Sequence, residues 1–223
     1  MTTIDSHEQK LGRTGLGPQG RVSARFTAAT VVIGVLIVVV TSAIAWDGDV
    51  PGWERAGLEF FNGWPDWLEP AFWALQQFGV LFAPIIAGVI IVYKTRNPWH
   101  LLPFAAVLPL KLFLEKAVVK QLVERERPFV SIGPEINVRG PAFEGLSFPS
   151  GHTTTAFALG VLLVAFVPPK WRPVALAWAA ITGIARLYYG EHNILDVVAG
   201  AALGTTFAVV LWFTIVNRLV EAK

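Results

Sequence analysis

The chain contains no cysteine and only one methionine. The missing cysteines exclude disulfides, thiolate metal sites and a thiol nucleophile, and leave the redox compartment open. Charge is also scarce. Asp, Glu, Lys and Arg make up 15% of the 223 residues against 54% apolar residues, a balance unlike that of a soluble domain. The scarcity is uneven, since residues 26–46, 70–93 and 197–217 carry no Asp, Glu, Lys or Arg at all. Each of these runs is long enough to cross a hydrocarbon layer of about 30 Å. Four histidines are scattered without a zinc-ligand spacing.

These runs predict an all-α polytopic membrane protein in which a single domain uses most of the chain. Residues 1–25 read as a polar, Gly-rich, disordered tail. Six spans are expected, at about 26–46, 70–93, 99–121, 151–167, 173–190 and 193–216, giving a membrane domain over 26–217 and a short basic end over 218–223. Ala43-Ile44-Ala45 has the look of a signal-peptidase site, but the apolar run before it is longer than a signal-peptide core, so a retained span is expected. Between the first two spans, Trp53, Gly57, Phe60, Trp64 and Trp67 recur near helical spacing. They predict a short interfacial helix with tryptophans at headgroup level.

Basic residues collect in alternate loops: Lys10, Arg13, Arg21 and Arg25 in the tail, then Lys94 and Arg96, then Lys170 and Arg172, then Arg218 and Lys223. The loop after the first span has only Arg55 against Asp47, Asp49, Glu54, Glu59, Asp66 and Glu69. Under the positive-inside rule both termini are cytoplasmic in a multi-pass plasma-membrane protein. The long loop 122–149 and the turn before residue 193 then face the other side.

That topology gathers three polar clusters at the non-cytoplasmic face: Lys120 with Arg127-Pro128, Pro149-Ser150-Gly151-His152, and Arg186 with His192 and Asp196. Ionisable groups at span ends are functional candidates because a bilayer penalises them. Arg127 and Arg186 offer planar forks for paired anionic oxygens and Lys120 a point charge. Ser150 and Gly151 open a helix, where free N–H groups and the dipole suit an anion. His152 is placed to act as a general acid. His192 and Asp196, four residues apart, share a helix face, and a carboxylate on one imidazole nitrogen strengthens the other as nucleophile or base. Taken alone, the Ser-Gly pair is an ordinary helix cap and the His–Asp pair is equally a structural tie. The three clusters in one place point to a phosphate site.

In order, spacing and topology, Lys120-x6-Arg127-Pro128, Pro149-Ser150-Gly151-His152 and Arg186-x5-His192-x3-Asp196 resemble the three-part signature of the type 2 phosphatidic acid phosphatase superfamily, which includes the vanadium haloperoxidases. Ala185 departs from the pattern, where the family usually has Ser. The resemblance implies metal-independent hydrolysis of a lipid phosphomonoester or diphosphate, with no cofactor. His192 would form a phosphohistidine, oriented by Asp196, and His152 would protonate the leaving group. Lys120, Arg127, Ser150, Gly151 and Arg186 would hold the phosphate. The expected partners are the bilayer and a lipid phosphate: undecaprenyl diphosphate-like carriers, phosphatidic acid or phosphatidylglycerol phosphate. Nucleic acid is not expected. Alternatives are a phosphotransferase using the same phosphohistidine and a non-catalytic lipid transporter or binding protein.

Lesser expectations concern the remaining polar residues. Lys111 pairs with Glu115 one turn on, inside the bundle, while Lys116 extends the cationic mouth. Arg125, Arg139 and Glu144 in the active-face loop are headgroup-contact candidates, and His7 and His100 are incidental.

Overall fold

The computed structural model describes residues 15–140 and 145–222, and every regular element among them is helical. Counting α-helices of eight residues or more, these are α1 (Ala24–Ala45), α2 (Gly52–Asn62), α3 (Glu69–Gln76), α4 (Ala83–Thr95), α5 (Gly151–Phe166), α6 (Arg172–Tyr188) and α7 (Ile194–Leu211). His7, read as incidental, and Glu144, a headgroup-contact candidate, lie outside the described residues, as does the tail before residue 15.

Helices Ala24–Ala45 and Ile194–Glu221 are long and apolar enough to cross a membrane. A third span exists if α3 and α4 are taken together, but the run expected to be one straight span over 70–93 is bent by 72° between Asp66–Gly79 and Ala83–Thr95. α5 is apolar but shorter, at 16 residues. The run expected over 99–121 is irregular. It contains Pro103 and Pro109, and π-helical turns over Lys111–Val119.

α5 is the central element, with α6 and α7 packed against it and α1 against the far side of α7. Lipid offers no hydrophobic drive between helices, so close backbone approach is what binds them. Gly200 and Gly204 supply that approach on α7. A Cβ at Gly200 would meet the Ser150 carbonyl at 2.6 Å, and one at Gly204 would lie 3.0 Å from the Ala158 nitrogen. Leu159, Leu162, Phe166, Phe104, Ala208 and Leu211 fill the core on the α5 half remote from Ser150.

The tail is not free over its described part. The N–H groups of Gly17 and Gln19 donate to the carbonyls of Phe166 (2.9 Å) and Ala165 (2.7 Å) at the end of α5. Asn217 bonds both the N–H and the carbonyl of Val22. The described end of the tail, with Arg21, and the helix end with Asn217 and Glu221 therefore lie together, one α5 length away from Ser150.

Of the residues expected in a short interfacial helix, Trp53, Gly57 and Phe60 lie on α2, which ends at Asn62 before Trp64 and Trp67. Its inward face is Glu54, Leu58 and Asn62, and Trp53 and Phe60 are exposed. Asn62 clasps the loop by accepting from the Asn137 N–H (2.9 Å) and donating to the Asn137 and Tyr188 carbonyls.

Candidate active site

The three clusters converge at the Ser150 end of α5. A cavity of about 580 Å3 is lined there by Lys120, Arg127, Gly151, His152, Arg186 and His192, with Lys111, Lys116, Glu115 and Glu191 around them. Ser150 and Asp196 stand behind this lining and are inaccessible to solvent. Ser150 occupies the N-cap position of α5, and its hydroxyl accepts from Thr153 Oγ1 at 3.0 Å. Its N–H donates to the Asp196 carbonyl at 2.9 Å, which ties the starts of α5 and α7 together.

His192 precedes α7, and its Nδ1 faces Asp196 Oδ2 at 3.5 Å. Asp196 Oδ2 also accepts the Asn193 N–H at 2.8 Å, which fixes the carboxylate at the helix start. With Nδ1 turned to Asp196, Nε2 is the nitrogen left for a reacting group. Burial, then the charges of Arg186, Arg127 and Lys120, hold His192 well below the ordinary imidazole pKa. It is neutral at pH 7 and carries the lone pair that a nucleophile needs.

The cations are held by their surroundings. Arg186 sits in the last turn of α6, donates to Gln76 Oε1 through Nη1 and pairs with Glu191 through Nη2. Arg127 Nη1 donates to the Glu191 carbonyl (3.0 Å) and Nε to the Gly145 carbonyl (3.1 Å). The π-helical turns bring residues five apart onto one face. Glu115 thereby reaches Lys120, five residues on (3.3 Å), as well as Lys111, four residues back (3.0 Å). The expected Lys111–Glu115 pair is present. A Cβ on Gly151 would stand 3.1 Å from Lys111 Nζ, so the lysine reaches the first turn of α5.

Two loop arginines differ from expectation. Arg125 is wholly buried and paired with Glu54 and Asp196, so it contacts no headgroup. Arg139 is also buried. It donates to the carbonyls of Asn62 (2.8 Å), Tyr188 (2.6 Å) and Trp64 (3.1 Å), with its guanidinium 4.1 Å from the Tyr188 ring centroid. Both arginines fasten the active-face loop. His100 packs on Phe166 and contacts Thr95 Oγ1 through Nδ1, far from the cavity. Among the described residues no three His, Asp or Glu side chains gather as metal ligands.

A family model described as the PAP2 superfamily matches residues 100–219, which contain all three clusters. The chain belongs to the PAP2 superfamily. Among its relatives, a lipid A 4'-phosphatase of Bacteroides thetaiotaomicron is 27% identical over 73% of this chain and 76% of its own length. An undecaprenyl-diphosphatase of Sulfolobus acidocaldarius is 27% identical over 66% of this chain and 68% of its own length. Among solved structures, a transmembrane PAP2-type phosphatidylglycerolphosphate phosphatase from Bacillus subtilis superposes with a TM-score of 0.65. It has 23% identity and covers 86% of this chain and 96% of its own. LpxE of Aquifex aeolicus gives 0.62, at 22% identity over 70% and 93%. These two likenesses establish a PAP2 membrane fold.

Sequence reasoning missed Glu54, Gln76 and Glu191 as parts of this arrangement. Glu191 had one local signal, a carboxylate next to His192 between two motif positions. Glu54 and Gln76 had none, since their partners lie 71 and 110 residues away.

Proposed function

We propose that the protein is a lipid phosphate phosphatase that hydrolyses a phosphomonoester or diphosphate on a membrane lipid through a phosphohistidine at His192. The observation that carries this reading is the single cavity in which His152, His192, Lys120, Arg127 and Arg186 meet, with Asp196 behind His192. The phosphatase names of the relatives support it.

The lipid phosphate enters with its headgroup in the cavity and its tail in the bilayer. Arg127, Arg186 and Lys120, with the Gly151 end of α5, bind the non-bridging oxygens. His192 Nε2 attacks phosphorus, the P–O bond to the lipid breaks, and His152, protonated by the phosphate monoanion as it binds, gives that proton to the departing oxygen. Asp196 stabilises the imidazolium formed on His192. Water then attacks the phosphohistidine, loses a proton to His152, and orthophosphate leaves. The cations act where negative charge shifts among the oxygens, the usual source of catalysis in phosphoryl transfer.

The basic tail, the Lys170–Arg172 turn and the C-terminal end support six passes with both termini cytoplasmic and the cavity on the opposite side. An outward site suits recycling of a polyprenyl diphosphate carrier, the substrate we favour over phosphatidic acid and phosphatidylglycerol phosphate. The test is orthophosphate release by purified protein in nanodiscs with EDTA present, across these three lipids and a soluble phosphate ester. Activity on one lipid that His192→Ala abolishes supports the reading. Release unchanged in His192→Ala overturns the mechanism.

A further inference from the structure

Glu191 stands where an anion from the substrate is needed. Its side chain is 3% exposed, its Oε2 pairs with Arg186 Nη2, and the same oxygen lies 3.8 Å from Arg127 Nη1. These are two of the cations assigned above to phosphate, and Glu191 lines the same cavity as both of them. A carboxylate in the fork of an arginine uses the N–H donors that a phosphoryl group would use.

The side chain is not needed to build the loop. The Glu191 N–H donates to the Arg186 carbonyl (3.2 Å), and its carbonyl accepts from Arg127 (3.0 Å). The backbone thus already ties both motif arginines to residue 191. What the side chain adds is a negative charge against two guanidinium groups that are themselves largely withdrawn from solvent, where a charge is screened less.

We propose that Glu191 is a built-in competitor for phosphate: its carboxylate occupies Arg186 and Arg127 in the empty site, is displaced by phosphoryl oxygens, and returns to expel orthophosphate. The inference rests on the phosphate-site reading above. It separates substrate from product by their other interactions. A lipid phosphate keeps its tail in the bilayer and tolerates a weakened headgroup site. Orthophosphate has no such anchor and bears the full cost of displacing the carboxylate. Glu115, bridging Lys111 and Lys120, leaves those cations partnered as well, so the cavity holds free orthophosphate loosely.

The experiment uses the full-length protein in nanodiscs, comparing wild type with E191Q, which keeps the shape and removes the charge. Orthophosphate is the probe, both as an inhibitor of lipid phosphate hydrolysis and by calorimetric binding without substrate. E191Q is expected to bind orthophosphate about tenfold or more tightly, with a smaller change in KM and a lower kcat where release limits turnover. Unchanged or weaker orthophosphate binding, with KM raised, overturns the proposal and makes Glu191 a mere brace for Arg186. If E191Q does not fold, E191D draws the carboxylate back by one methylene and is expected to move the inhibition in the same direction by less. No orthophosphate binding in wild type, together with normal hydrolysis by His192→Ala, removes the phosphate-site reading and this inference with it. Hydrolysis that needs His192 while E191Q and wild type bind orthophosphate alike removes this inference alone.

Discussion

Arg125 Nη1 lies 3.2 Å from Asp196 Oδ1, and neither side chain is exposed to solvent. The same guanidinium makes a two-point contact with Glu54, at 3.0 and 2.7 Å. Glu54 Oε1 in turn accepts the Leu195 N–H at 2.8 Å, in the first turn of α7. A chain of charges therefore runs from α2 through Arg125 to the carboxylate that faces His192. Asp196 is held from one side by the Asn193 N–H and from the other by Arg125. This explains how a carboxylate is kept buried: it has two donors and a partner charge.

Glu54→Gln tests that chain. It removes one charge and leaves Arg125 to draw on Asp196 alone. We expect kcat to fall by about tenfold or more, equivalent to about 1.4 kcal/mol, with KM changed less, because Glu54 touches no substrate. Thermal unfolding in detergent is expected at lower temperature, since breaking a buried ion pair costs about 3–5 kcal/mol. A folded Glu54→Gln enzyme with wild-type kcat would show that Asp196 needs no support from α2.

Arg139 separates a structural role from a headgroup role. Its fork satisfies three backbone carbonyls from two segments, and each carbonyl left unpaired in a buried site costs about 1–3 kcal/mol. Arg139→Lys keeps the charge but not the planar fork. Both Arg139→Lys and Arg139→Met are therefore expected to lower the unfolding temperature while KM for lipid phosphate stays within about twofold. Native stability with a raised KM in either variant would restore the headgroup reading.

Much of the site was legible because a bilayer makes polar residues conspicuous. Lys120, Arg127, His152, Arg186, His192 and Asp196 stand at the ends of apolar runs, and the six-span topology expected from hydropathy would bring them to one surface. The bend at Gly79–Ala83 was not legible, since residues 70–93 are uniformly uncharged and composition does not report direction. The run over about 99–121 stood out in the sequence for its charges, but its π turns were not legible, because hydropathy does not distinguish α from π turns. Arg125 looked like a loop charge, and Glu191 was not singled out. Their burial depends on partners in other segments, which no local periodicity records.

The departure at Ala185 also has a structural answer. Ala185 is wholly buried against Phe72, Tyr188 and Tyr189, on the aromatic side of α6. It is absent from the cavity lining, which contains Arg186 beside it. A serine hydroxyl here would bond back to the carbonyl one turn earlier in the helix, not to substrate. Ala185→Ser is therefore expected to leave kcat/KM within about threefold of wild type. A gain of ten times or more would mean that the hydroxyl reaches the bound phosphate.

His192 gives a pH dependence of stability whose sign follows from its depressed pKa. Burial and the nearby cations hold the folded imidazole well below 6.5, while the unfolded chain titrates near that value. Above about pH 6.5 neither state binds a proton at this position. Below it the unfolded chain binds one and the folded protein does not, so acidification favours unfolding until the folded imidazole itself takes up a proton. His192→Gln removes the titrating group and keeps a polar side chain of similar reach. The unfolding temperature in detergent, measured from pH 7.5 down to 5, is expected to fall less steeply for His192→Gln than for wild type. Equal slopes would mean that the folded imidazole titrates as it does in water, which removes the basis for a neutral His192 as nucleophile in the empty site.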